Sequence, residues 1–193
     1  TDGAGLPHGV GRQVEEAGNT YEGEWVHGER HGQGIYIWTW GDKYDGQWVR
    51  GKKEGSCIHT YADGGHFEGQ MKNDVREGLG HFSYHFGDIF HGMYANDLKH
   101  YGVWHFKNGE AKVARFELHE SGAYSVETGS GAKWSADRKV AWPLLDGKLD
   151  GESQISLEEA SERAVAMGLP PGAPPTQAPR HLHRGRSVDS DIL

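Results

Sequence analysis

The sequence predicts a mostly β chain: an elongated single-layer antiparallel meander of β-hairpins, with an irregular C-terminal cap, one short helix and an extended tail. Three observations lead there. Tyr21, Tyr44, Phe67 and Phe90 recur at an interval of 23 residues, each followed two places on by glycine and four places on by a large apolar residue; a fixed period in this range marks a repeat architecture. Within each block the rings and glycines alternate in steps of two, as one face of a strand requires. Composition agrees, because 30 glycines, 11% aromatic and 35% hydrophobic residues in a chain of 193 give too little aliphatic material for a large core but enough for a ring-lined sheet.

The blocks align in detail. Tyr21-Glu22-Gly23-Glu24-Trp25 matches Tyr44-Asp45-Gly46-Gln47-Trp48, Phe67-Glu68-Gly69-Gln70-Met71 and Phe90-His91-Gly92-Met93-Tyr94. Gly32, Gly55 and Gly78 fall in register, as do Gly34, Cys57 and Gly80, and Gly41, Gly64 and Gly87 close the blocks. Tyr21, Gly23 and Trp25 form one strand face, and Gly34, Tyr36 and Trp38 another. The polar, glycine-containing run over residues 26–33 reads as the hairpin loop between them. Glycine at positions 23 and 46 leaves room for a neighbouring ring to lie over the backbone. Each aromatic pair then adds roughly 0.5–1.5 kcal/mol beyond its buried area, which a lone hairpin needs.

These residues resemble the MORN repeat (membrane occupation and recognition nexus), whose pattern is Tyr-x-Gly-x-Trp-x-x-Gly-x-x-x-Gly-x-Gly. Residues 21–34 match it at every named position. The resemblance covers residues 9–109, and it implies a non-catalytic binding module.

The expected organisation is a ribbon over residues 1–109, with a half repeat at 9–20 and repeats starting at 21, 44, 67 and 90. An irregular β cap over 110–155, a helix over 156–168 and a proline-rich, basic tail over 169–193 follow. Gly9, Gly11 and Gly18 sit one period before Gly32, Gly34 and Gly41, so the array opens in the second half of a repeat. Asp74 and Asp97 replace the loop glycines Gly28 and Gly51, and aspartate tolerates the left-handed region. The fourth block is one residue short before Gly102, and Lys112, Ala114 and Phe116 give a last degenerate echo. Ser156-Leu157-Glu158-Glu159 is a capping box for the helix, which runs to about Met167. The tail, rich in proline and then in Arg180, His181, His183, Arg184 and Arg186, reads as extended chain, with ordering against a neighbouring protein as the sharper alternative.

No catalytic chemistry is legible. Residues 127–133 imitate a phosphate-binding loop, but Ala132 separates the last glycine from Lys133. Thirteen histidines with the single Cys57 form no compact ligand pattern, and His81 and His85 lie too far apart on a strand to share an ion, so no metal site and no cofactor are assigned. Glu22, Glu24, Asp45 and Glu68 read as a solvated face.

Two binding classes remain. The first is a protein-interaction scaffold, probed by a concave groove of Tyr21, Trp25, Tyr36, Trp38, Tyr44, Trp48, Tyr61, Phe67, Phe82, Tyr84 and Phe90 that takes a helix or an extended segment of a partner; these rings equally stabilise the sheet. The second is a phospholipid-binding, membrane-tethering module. A net charge of −8 and a pI near 5.9 disfavour it, Arg50-Gly51-Lys52-Lys53 being the best basic run, and disfavour nucleic acid as well. The expected partners are proteins, a homodimer being a further option. A lone cysteine and the lack of a long apolar run give the expectation of a cytoplasmic protein. Short MORN proteins with irregular tails resemble components of cilia and flagella, which implies a cytoskeletal, axonemal setting.

Overall fold

Each hairpin is reversed by two residues held at positive φ. His27 and Gly28 sit at φ 49° and 85°, Arg50 and Gly51 at 50° and 79°, Asn73 and Asp74 at 48° and 73°, and Asn96 and Asp97 at 48° and 69°. A two-residue turn of this hand matches the right-handed twist of its flanking strands. The loop expected over residues 26–33 is therefore shorter than the composition implied. Residues 29–33 are strand, and their glycine and polar character serves a bulge, not a loop.

In the computed structural model, which describes residues 1–118, 125–151 and 153–167, the chain forms one 13-stranded antiparallel sheet in sequence order. The half repeat is β1 (Gly9–Val14), and it pairs with the first strand of the first full repeat as the second half of a hairpin would. The four full hairpins are β2 (Thr20–Val26) with β3 (Glu29–Ile37), β4 (Lys43–Val49) with β5 (Lys52–Thr60), β6 (His66–Lys72) with β7 (Val75–Ser83), and β8 (Ile89–Ala95) with β9 (Leu98–His105). The cap expected over 110–155 takes the form of four more strands of the same sheet: β10 (Ala111–Leu118), β11 (Ser125–Trp134), β12 (Ala141–Leu145) and β13 (Lys148–Leu149). The loop-like run 127–133 lies in β11. The tail over 169–193 lies outside the described residues.

Gly32, Gly55 and Gly78, at φ 55°, 64° and 79°, sit where the register of each hairpin shifts. That is the signature of a bulge built on a left-handed glycine. In the first hairpin the Glu24 carboxylate accepts the Gln33 amide across it at 2.9 Å, and in the second Gln47 accepts the Ser56 amide at 3.1 Å. The fourth hairpin dropped one residue here, which is why β9 has eight residues where β3, β5 and β7 have nine.

Pairing aligns small residues into a continuous row across the strands: Gly11, Gly23, Gly34, Gly46, Cys57, Gly69, Gly80, Gly92, Gly102 and finally Ala114. The rings of Tyr21, Tyr44, Phe67 and Phe90 lie over that row; a Cβ added at Gly23 would come 2.7 Å from the Tyr21 hydroxyl, and one at Gly92 2.8 Å from Phe90 Cζ. The tyrosine hydroxyls do further work, Tyr21 donating to the Glu24 carbonyl and Tyr44 to the Gln47 carbonyl, each at 2.9 Å. The indoles reach back one strand: Trp25 Nε1–H donates to the Gly11 carbonyl at 3.2 Å and Trp48 Nε1–H to the Gly34 carbonyl at 3.1 Å. The Tyr-x-Gly-x-Trp spacing is thus a packing device with two hydrogen bonds per repeat. Later repeats lose parts of it, since Phe67 and Phe90 lack the hydroxyl and the Tyr94 hydroxyl is buried without a partner among the described residues.

Helix α1 (Leu157–Ala166) is capped by the Ser156 hydroxyl, which accepts the Glu159 amide at 3.0 Å. Glu159 does not close a capping box; its carboxylate accepts from Arg163 one turn on at 3.0 Å. Ala160, Ala164 and Met167 bury this helix against Val103, Val113, Ala132 and Trp134, on the sheet face opposite the stacked rings.

Replacing Gly80 by alanine places a Cβ 2.7 Å from Phe67 Cζ and 3.2 Å from Tyr94 Cδ2. We expect a loss of about 1–3 kcal/mol, the usual scale of overpacking, read as a lower urea midpoint. Gly3→Ala, where nothing lies within 4 Å, is the control and stays within about 0.5 kcal/mol.

Candidate functional site

The eleven rings singled out from the sequence divide into two sets. Tyr21, Trp25, Tyr36, Tyr44, Trp48, Phe67 and Phe90 are at most 7% exposed. Trp38, Tyr61, Phe82 and Tyr84 remain half-buried and pack along the margin of that core. Most contacts within the buried set are edge-to-face, as between Tyr21 and Trp25 (5.0 Å, 86°) and between Tyr44 and Trp48 (5.1 Å, 79°), while Tyr36 meets Trp48 tilted (6.1 Å, 42°). The margin is stacked instead. Trp38 lies on His59 (5.3 Å, 14°), His59 on Tyr61 (4.4 Å, 18°), Tyr61 on Phe82 (5.4 Å, 30°), and Tyr84 on Trp104 (5.3 Å, 20°). Trp40, 61% exposed, and Phe86, 47% exposed, continue it into the turns after β3 and β7. This stacked row, with its exposed rings two repeats apart in the sequence alignment, is the surface the buried set presents.

Four cations complete the ring face. Arg30 lies 4.7 Å from the Tyr36 centroid, Lys53 4.5 Å from Trp38, Arg76 5.1 Å from Tyr94 and Lys99 5.1 Å from Trp104, all within cation–π range. They are spaced by the same 23 residues as the rings, so the interval that revealed the aromatics would have revealed them too. Arg30 also pairs with Glu15 at 2.5 Å, and Arg76 with Asp97 at 2.9 Å. Lys53 and Lys99 have lowered pKa values through burial, and the Arg76 charge adds to the effect at Lys99.

Burial sets the other titrations. It pushes the Cys57 thiol up to about 11, so this residue is a small core side chain, not a nucleophile. It brings His59 down to about 4, with the nearby Lys53 charge adding to the shift; Asp42, at 3.7 Å, opposes it weakly. His105 is likewise brought down to about 4 by burial and then by Arg138.

The opposite face carries a shallow trough of about 620 Å³ across β3–β8, with side chains such as Asp45, Ile58, Glu68, Leu79, His81 and His91 on its walls. This trough lies on the face away from the rings, while a second, smaller hollow of about 290 Å³ is lined by Gln13, Trp25 and Arg30 on the ring face. Asp45 and Glu68 lie on this face as expected for a solvated surface, as do Glu22 and Glu24. His81 and His85 do not converge: His81 contacts the Ser83 hydroxyl at 3.1 Å, and His85 faces Asp63 at 3.4 Å. The basic run at 50–53 is split, because Lys53 folds onto the ring face while Arg50 and Lys52 stay exposed in the turn.

A profile of the MORN repeat matches residues 21–43, 44–66 and 67–88. The chain carries MORN repeats. Their matched bounds coincide with the hairpins β2–β3, β4–β5 and β6–β7, and the β8–β9 hairpin continues the MORN geometry beyond them. No curated protein matches the chain significantly. Among solved structures, one similar chain is the SAS-4 (dCPAP) TCP domain of Drosophila melanogaster, in complex with a proline-rich motif of Ana2 (dSTIL). It is 12% identical, the match covers 81% of this chain and 94% of that one, and the TM-score is 0.38, a likeness that carries no argument here. Among the described residues no helix is long and apolar enough to cross a membrane.

Because His59 and His105 stay neutral when folded but take up a proton near 6.5 when unfolded, the unfolded chain binds more protons between about pH 4 and 6.5. Stability is therefore expected to fall as pH drops from 7 toward 4. His59→Phe keeps a ring in the stack and removes one proton site, and the urea midpoint should then vary less between pH 7 and 5 than in the parent.

Proposed function

We propose that the chain is a non-catalytic protein-interaction scaffold whose stacked ring margin binds a helix or extended segment of a partner. The observation that carries this reading is the half-exposed row of Trp38, Tyr61, Phe82 and Tyr84, fronted by Trp40 and Phe86 and held in place by a buried ring core. Rigid aromatic anchors of this kind supply most of the energy at protein interfaces. Lys53 and Lys99 above the same rings favour a partner segment that brings carboxylates.

The seven buried rings serve the fold, so substitutions at Trp25 or Trp48 report on stability; the binding test belongs on the exposed members. The setting we propose is a cytoskeletal assembly, with the axoneme of a cilium or flagellum as its narrower form, in line with the resemblance to short MORN proteins. The membrane alternative is supported less. Exposed Arg50 and Lys52 make a small patch, worth about 1 kcal/mol per cation at an anionic surface.

The test is proximity labelling in cells to name the partner, then affinity measurement with the purified pair. Trp40→Ser with Phe86→Ser should weaken binding tenfold or more while the far-ultraviolet spectrum stays unchanged. A folded double variant that binds as tightly as the parent would remove the ring margin as the site. Strong flotation with anionic liposomes at physiological salt, lost on Arg50→Glu with Lys52→Glu, would favour the membrane reading instead.

A further inference from the structure

The segment before β1 folds back on the turn between β2 and β3. The Asp2 amide donates to the Leu6 carbonyl at 2.8 Å, and the Gly28 amide donates to the Pro7 carbonyl at 2.9 Å. That second bond ties the residue before His8 to the residue after His27. As a result Asp2, His8 and His27, remote in sequence, present three ligand atoms that all lie within 4.8 Å of one another. Among the described residues this is the one place where three such side chains converge.

The geometry points to a site for a borderline divalent transition ion, zinc foremost, held by the Asp2 carboxylate and the imidazoles of His8 and His27. The donor set is chemically apt, since two imidazoles and one carboxylate suit zinc and its neighbours, whereas calcium and magnesium take oxygen donors. Ligand bonds of about 2.0–2.2 Å place tetrahedral donors roughly 3.3–3.6 Å apart. The Asp2 Oδ2 to His27 Nδ1 distance of 2.7 Å has only to open slightly. His8, whose ligand atom lies within 4.8 Å of the other two, has to move in, which its exposed side chain permits.

The carboxylate is already aimed. Its Oδ1 accepts the Ala4 amide at 2.9 Å and the Leu6 amide at 3.0 Å, which leaves Oδ2 turned toward His27. Such outer contacts orient a ligating carboxylate and are part of how protein metal sites are tuned. His8 makes no hydrogen bond in the described structure; its contact is the His27 ring, with centroids 5.4 Å apart. An ion accounts for why a second imidazole is brought to an Asp–His pair that is complete without it. Three protein donors leave a coordination position open to water or to a ligand from another molecule.

The test uses the full chain without a histidine tag. Zinc is titrated against a chromophoric chelator, and cobalt(II) is used as a spectroscopic probe. One ion per chain, bound at micromolar affinity or tighter, is expected, with cobalt d–d bands and no thiolate charge-transfer band because Cys57 is buried elsewhere. His8→Ala and His27→Ala should each weaken binding tenfold or more, and the rise in melting temperature that zinc gives the parent should vanish in both. His91→Ala, on the far face of the sheet, is the control and leaves affinity unchanged. No zinc binding in the micromolar range, or binding that survives both His8→Ala and His27→Ala, would overturn the assignment.

Discussion

A ring laid over a residue without a side chain is the contact on which the rest of the structure depends. A single sheet has two faces and no second layer to cover either. The row from Gly11 to Gly102 opens space along the middle of one face, and Tyr21, Tyr44, Phe67 and Phe90 fill it from within the sheet itself. The core is thus one side chain thick. Every other feature of a repeat is arranged around that contact: the indole that caps a glycine carbonyl one strand away, the cation over the rings, and the bulge that lets the outer residue clear the ring.

Coupling between repeats follows from the same layout. Each turn reaches the strand one repeat earlier, with the Gly51 amide donating to the Arg30 carbonyl, Asp74 to Lys53 and Asp97 to Arg76. The turn aspartates that replaced glycine add to it, since Asp74 accepts the Lys53 amide and Asp97 the Arg76 amide. A lost glycine is compensated by an inter-repeat bond, which a glycine could not supply. The repeats behave as nearest-neighbour units, with stability set at their interfaces.

What the sequence disclosed and what it withheld have a common physical origin. Identity at a fixed interval made the hairpins, the ring row and the left-handed turns legible, because each depends on a residue type that a local conformation demands. The loop over 26–33 overestimates the turn because Gly32 reads as loop chemistry, whereas bulges use the same residue. Seven of the eleven site rings are core, since a side chain's face is readable from period two but its depth depends on what lies over it, such as Arg30 above Tyr21 and Tyr36. Arg30, Lys53, Arg76 and Lys99 were legible by interval and missed because cations are ordinarily read as solvated. The trough and the Asp2, His8 and His27 cluster depend on contacts across strands or between a terminus and a turn, which no interval encodes.

The end of the array shows why the helix is where it is. Ala114 closes the small-residue row, and Phe116 is the last ring of the core on that face. There β10 and β11 shift register, and Gly129, Gly131 and Gly151 have no ring over them. A sheet that has lost its internal filling needs a second layer. The second core begins at that point on the other face, where Val103, Val113, Ala132 and Trp134 meet Ala160, Ala164 and Met167 of α1. The small residues of that helix, a weak stripe by hydrophobicity, suit a close approach to a sheet surface of valine and alanine. The core therefore crosses the sheet between β9 and β11, from the face where rings cover glycine to the face where a helix covers strands. The stretch of that second face which α1 does not reach is left as the open trough across β3–β8.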